Sequence, residues 1–317
     1  MDMLISIFSV ALFASTIRAA TPLILAALGG IFSERSGVVN IALEGIMLIG
    51  AFFAMLISYL GREAGLPPLA SALAGAVGAM VFGFLISMIH AVVSIRYRAD
   101  QVVSGVAINI LALGLTGFLL QQIFNTSGNS PSVPNLPAAP IPGLASIPVL
   151  GPIFFNQPPI VYIGLIAVPV AAFVLFRTPL GLRIRAVGEH PKAADTVGIN
   201  VFRLRYLGVA LSGVLAGLGG AYLSLGQLNI FTEGMTNGRG YIALAAVIFG
   251  KWSPWGALGA CLLFGLADAV QISLQNAGVN IPSDFLLMLP YVLTLVALTG
   301  FIGRSNPPAA SGVPYEK

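Results

Sequence analysis

The chain has 317 residues, 57% of them apolar and only 8% charged, with a mean hydropathy of +0.95. A water-soluble domain carries about a quarter charged residues, and 15 Lys and Arg with 11 Asp and Glu cannot coat a soluble fold of this length. Water is therefore excluded as the main solvent; the residues predict an all-α, polytopic transmembrane bundle in contact with membrane lipid, its single domain spanning 1–317. The formal net charge of +4 reads as orientation by loop Lys and Arg, not as affinity for nucleic acid.

A spanning helix needs about 20 mostly apolar residues. Cutting the chain at charges, prolines and glycine clusters gives segments at 4–31, 38–60, 66–93, 101–124, 160–176, 206–225, 240–250, 255–274 and 285–302, which predicts about eight to ten spans. The N-terminus has no basic region and its apolar run outlasts a cleavable signal, so it reads as the first span. That segment carries Arg18 and Pro22. It fits either one tilted helix or an interfacial helix followed by a shorter one.

The stretch 33–45 places Asn40 and Glu44 four residues apart, on one face if helical, inside or at the edge of an apolar span. A carboxylate at membrane depth costs a few kcal/mol if it faces lipid, about 3 on insertion scales, and so faces a polar cavity or a partner. Two readings follow: this face borders a solute pathway, or Glu44 ties helices together. Asn109, Gln101, Asp268 and Gln271 are further polar residues within apolar segments, for which helix packing is the plainer account. Small residues recur at Ser71, Gly75, Ala79 and Gly83, and at Gly213 and Gly217, and predict close helix approach.

From 101 to 176 no residue is charged, and nine prolines fall within 125–159. That density forbids a regular helix and predicts a Pro-rich extracytoplasmic loop, either lying over an entrance or serving as a passive linker. Six of the fifteen bases fall within 177–205, which predicts a cytoplasmic loop; counting spans outward places twelve bases on that side, with the C-terminus, and leaves Arg62 and Arg239 opposite. Inside this loop, Pro191 opens and Gly198 closes a helix of about two turns carrying Ala193, Ala194 and Val197. A helix that short needs a docking surface, either a groove on a soluble partner or lipid headgroups. Segment 240–250 is half the length of a span and predicts a broken or re-entrant helix.

Catalytic chemistry finds no support. No phosphate-binding loop is present, since Gly250-Lys251 is followed by Trp252. Cys261 stands alone in an apolar run, and His90 and His190 lie in different segments, so no catalytic triad or metal site is expected.

The stretches Thr21 to Gly30 and Ser36 to Gly45, the Gly188 to Gly198 loop, and Ile242 to Gly250 together resemble the permeases of ABC importers of the ribose and branched-chain amino acid type, in the nucleoside branch. The resemblance covers nearly the whole chain. It implies a bacterial cytoplasmic-membrane subunit without cofactor of its own, partnered by an ATPase subunit that holds ATP and Mg, by a second, different and longer permease, and by an extracytoplasmic solute-binding lipoprotein. It implies a substrate pathway at Asn40 and Glu44, to which Asn109 is added as a polar candidate within an apolar segment. It also implies an ATPase-coupling loop at Glu189, His190, Pro191, Lys192, Ala193, Ala194, Asp195, Gly198 and Asn200. Side-chain chemistry alone does not separate nucleosides from simple sugars or branched-chain amino acids. An ion-coupled secondary transporter with broken helices, an intramembrane enzyme and a membrane scaffold are the rival classes.

Overall fold

The computed structural model describes residues 10–276 and 306–316, with the isolated positions 285, 288, 292 and 296. Residues 1–9 and nearly all of the ninth predicted segment, 285–302, lie outside the described residues. In chain order the helices are α1 (Val10–Arg35), α2 (Leu43–Glu63), α3 (Pro68–Ala91), α4 (Gln101–Phe124), α5 (Pro159–Arg177), α6 (Pro179–Glu189), α7 (Pro191–Thr196), α8 (Val201–Ala221), α9 (Arg239–Phe249) and α10 (Pro254–Asn276). Among the described residues seven helices are long and apolar enough to cross a membrane: α1 to α5, α8 and α10. α3 and α8 each run on into a π-helical turn, Val92–Arg96 and Tyr222–Leu228.

Local chemistry accounts for the helix starts. Proline opens α3, α5, α6, α7 and α10, where its missing N–H is one of the donors left unpaired in any helix. Asp100 accepts from the amides of Val102 and Val103, Thr178 from Gly181, and Asn200 from Arg203, each satisfying donors that a helix start leaves open. The first predicted segment is one continuous helix through Pro22; the alternative of an interfacial helix plus a shorter one does not occur within residues 10–35.

α1 is the axis of the bundle, packed against α8, α10, α9 and α5, while α2 and α3 close around α8 from the other side. α1, α2 and α8 are buried along most of their length, whereas α4, α5 and α10 expose much of theirs. The exposed sets Val103, Leu111 and Phe118 on α4 and Ile163, Ile166 and Phe173 on α5 suit lipid contact. The expected small-residue stripes meet each other: a Cβ added at Gly83 would strike the Gly213 carbonyl, and one at Gly217 the Ala79 carbonyl. Backbones of α3 and α8 therefore touch, the contact that drives association where lipid removes the hydrophobic difference.

The two ends of the bundle differ. At one end the Pro-rich insert holds a two-residue antiparallel ladder, Ala139–Pro140 with Asn156–Gln157, and one π-turn at Gly151–Phe155, in a stretch whose proline density predicts no regular helix. It lies along the segment after α8: Ser130 donates to Phe231 O, Val133 to Asn229 O and Glu233 to Gly128 O. Arg62, at the end of α2, donates to the Ser132 carbonyl at 3.1 Å. At the other end, 177–205 is a helical step of α6, α7 and the start of α8, with α7 where Pro191 and Gly198 predict a short helix. Residues 306–316 lie across it.

Candidate functional site: a clamped half helix beside an open pocket

α9 has eleven residues, as the short apolar segment 240–250 predicts, and is fastened at both ends. Its N-terminus meets Glu44, whose Oε1 accepts from the amide of Gly238 at 2.8 Å and whose Oε2 accepts from Gly240 at 2.6 Å. A carboxylate there satisfies two orphan donors and faces the positive end of the helix dipole. Glycine is required at 240, because a Cβ would fall on the Glu44 backbone. At its C-terminus, the Trp252 indole donates to the Glu34 carboxylate, and Arg35 Nε donates to the Trp252 carbonyl at 3.1 Å. Arg239 is the first residue of this half helix, and its Nη1 donates to the Met235 carbonyl at 3.1 Å.

Between α1 and α2 the chain is unwound from Gly37 to Ala42. Backbone groups at such depth must find partners within the protein, and side chains supply them. Val39 N–H donates to Gln101 Oε1 at 2.7 Å. His90 Nε2 lies 2.9 Å from the Val39 carbonyl. A carbonyl only accepts, so Nε2 carries the proton and Nδ1 accepts from the Ser104 hydroxyl at 3.0 Å. Asn40 is fully buried; its Nδ2 donates to Ser212 Oγ at 2.9 Å, and its Oδ1 accepts from the Ala42 amide at 3.2 Å. Asn109 reaches across from α4, accepting from Gly45 N–H at 2.8 Å and donating to the Ile41 carbonyl at 3.0 Å and to the Tyr241 hydroxyl at 2.9 Å.

Glu44 and Asn109 thus come together on one wall of an open pocket of about 250 Å³, with Tyr241, Thr236, Asn237, Val106 and Leu113 completing it. Asn40 lies behind that wall, against α8. Gln101 to Asn109 covers about 12 Å along α4, and Gly240 to Phe249 about 14 Å along α9, at 1.5 Å per residue. Asn109 thus lies about a third of the way along the 24-residue α4, so the pocket opens between the ends of a spanning helix. Its polar groups are amide, hydroxyl and carboxylate, with apolar walls: a lining able to hold a neutral polar solute without a countercharge. Asp268, on α10, is not among the residues that line the pocket.

The residues of the basic end fall into two groups. Ala194 is buried, while Lys192, Ala193, Thr196, Val197, Gly198 and Asn200 are exposed, Val197 at 73%. Glu189 faces Arg35 at 3.9 Å, and His190 and Pro191 join α6 to α7. The sequence reading did not single out Tyr241, Trp252, Glu34, Ser212 or His90 as site residues. Their roles arise from contacts between segments far apart in the chain, and only Glu34, an acid closing an apolar run, carried a signal in advance.

A protein family described as "Branched-chain amino acid transport system / permease component" matches residues 12–298. The chain belongs to this family. It is the membrane-spanning permease subunit of an ABC importer, with ATP hydrolysis on a separate subunit. The "Guanosine ABC transporter permease protein NupQ" of Bacillus subtilis is 52% identical, with 96% of this chain and 95% of that protein covered. The "Nucleoside ABC transporter permease protein NupC" of Lactococcus lactis is 44% identical, with 94% of each covered. A second Bacillus subtilis protein, "Guanosine ABC transporter permease protein NupP", is 26% identical, with 91% of this chain but 81% of that longer protein covered.

Proposed function

We propose that this permease moves nucleosides inward by alternating access, taking them from an extracytoplasmic solute-binding protein on the side of the Pro-rich insert. The observation that carries the reading is the open pocket between spanning helices, beside a half helix clamped by Glu44. A half helix fastened at both ends keeps the pocket's shape while the spanning helices around it shift between two arrangements. The 52% and 44% identities to guanosine and nucleoside permeases support the solute class. The pocket's hydroxyl and amide groups suit ribose and base edges. In this reading Glu44 and Asn109 hold the pocket wall, and Asn40 holds the unwound turn behind it.

The basic end faces the cytosol, in keeping with the concentration of Lys and Arg there. The exposed face of α7, Ala193 and Val197 flanked by Lys192 and Thr196, docks on the ATPase subunit. The second permease is a different, longer chain, as the pair of Bacillus subtilis relatives suggests by their 52% and 26% identities. ATP binding and hydrolysis on the partner then bias which side of the pocket is open.

The deciding experiment reconstitutes both permeases, the ATPase and the binding protein in proteoliposomes and follows ATP-driven accumulation of labelled guanosine, ribose or leucine. Guanosine accumulation that the other two do not compete supports the reading. Accumulation of ribose or leucine but not guanosine overturns the solute class. Uptake by the permease alone under a sodium or proton gradient overturns ATP coupling.

A further inference from the structure

Residues 306–316 form a strap that ties the coupling helix to the unwound turn of the site. From its middle, Ala310 N–H donates to the Gly188 carbonyl at 2.8 Å, and Ala309 N–H donates to Glu189 Oε2 at 3.1 Å. Gly312 N–H donates to the Gly37 carbonyl at 3.3 Å. Gly37 begins the stretch that carries Asn40 and leads into Glu44. The Val313 carbonyl accepts from Arg205 Nη1 at 2.9 Å, and Glu316 pairs with Arg98 at 2.7 Å.

Tyr315 anchors the strap under α7. It is 5% exposed, packs its ring against Phe202 with centroids 5.4 Å apart, and joins Val187, Ala194 and Val201 in one apolar cluster. Its hydroxyl donates to the Asp195 carboxylate. Ala194 and Asp195 belong to α7, a six-residue helix too short to hold its shape unaided. The seat of α7 is therefore made in part by the strap.

The strap's other contact is with a buried cation. Arg205 is 1% exposed, its Nε and Nη2 have no hydrogen-bond partner among the described residues, and its guanidinium lies against Gly37. The Val313 carbonyl is the acceptor that the strap brings to this group, and an unpaired buried charge is costly. Strap, Arg205 and the turn at Gly37 are thereby bound to move as one body, while Tyr315 binds the same body to α7.

We propose that Tyr315 is a positioning residue that passes movement of α7 through the strap to the 37–42 turn, and so to Asn40 and Glu44. The proposal rests on the reading of α7 as the ATPase docking element. The test uses the full reconstituted assembly and measures guanosine moved per ATP hydrolysed, ATPase co-purification and permease abundance. Tyr315→Ala keeps the ATPase bound and hydrolysing, yet moves about tenfold less solute per ATP, a loss in the usual range of coupling between sites. Tyr315→Phe, which keeps the ring and loses the hydroxyl, stays within about twofold of the wild-type ratio. Gly312→Val strains a residue at φ +78 beside Gly37 without touching the Tyr315 cluster, and gives the same loss of ratio as Tyr315→Ala.

An unchanged ratio in both Tyr315→Ala and Gly312→Val overturns the proposal. So does a Tyr315→Ala defect confined to abundance while Gly312→Val transports normally. Ala193→Arg separates the two readings. If it releases the ATPase while the strap variants keep their ratio, only the strap proposal fails; if it leaves the ATPase bound, the docking reading fails and takes the strap with it.

Discussion

α7 and α9 are both helices too short to be stable alone, and they are held in opposite ways. α9, packed among the spanning helices, is fixed by charge and hydrogen bonds: Glu44 on two backbone amides at one end, Glu34 and Arg35 on Trp252 at the other. α7, at the basic end, is held by a small apolar seat of Val187, Ala194, Val201 and Tyr315 and leaves most of its surface open. Where water is excluded, an unmet amide is expensive and polar contacts with fixed geometry dominate. Where water is near, apolar packing suffices, and the free face remains available to a partner. A fixed half helix is suited to shaping a pocket, and an exposed one to receiving force.

The variant expected to disturb this contrast most is Glu44→Ala, which leaves two amides unpaired at a cost of about 1–3 kcal/mol each. Thermal unfolding in detergent should shift down by many degrees, and ATP-driven uptake should vanish. Retention of both would show that α9 is not held by its carboxylate. Glu44→Gln keeps one acceptor oxygen and turns the other into a donor, so about half of that loss, roughly 1–3 kcal/mol, is expected. The two variants measured side by side sharpen the assignment of one amide to each oxygen.

Tyr241→Phe removes the hydroxyl that accepts from Asn109 on the pocket wall and should cost about 0.5–1.5 kcal/mol. Its signature is a raised KM for uptake with little change in maximal rate, and a lower maximal rate at constant KM would place Tyr241 outside the solute contact. Val197→Asp on the open face of α7 should change stability by less than about 0.5 kcal/mol, as surface substitutions do, while sharply weakening co-purification of the ATPase subunit. Loss of folded protein instead would mean that this face is covered within the permease itself.

Much of the bundle was legible residue by residue. Apolar runs of spanning length gave the long helices, since lipid admits few other structures. Pro191 and Gly198 bounded α7 because proline lacks an amide to lose and glycine accepts the φ of +82 found at 198. The stripes at Gly83 and Gly217 announced backbone contact because nothing larger permits it. Asn40, Glu44 and Asn109 were visible as polar residues in apolar runs, but their division of labour was not. Glu44 and Asn109 share a pocket wall, and Asn40 is sealed behind it against Ser212. Nothing local to Asn40 distinguishes those fates.

The sequence by itself determined the solvent of this protein, its helical class, its polar positions at depth and its one short basic-end helix, because each depends on composition or on spacing along a single segment. The tertiary structure alone decided that Glu44 caps a helix that starts nearly two hundred residues later, that Asn109 serves the backbone of an unwound turn, and that Tyr315 completes the seat of α7. Those are contacts between distant segments. Their energy comes from satisfying particular donors and filling particular gaps, which no pattern within one segment encodes.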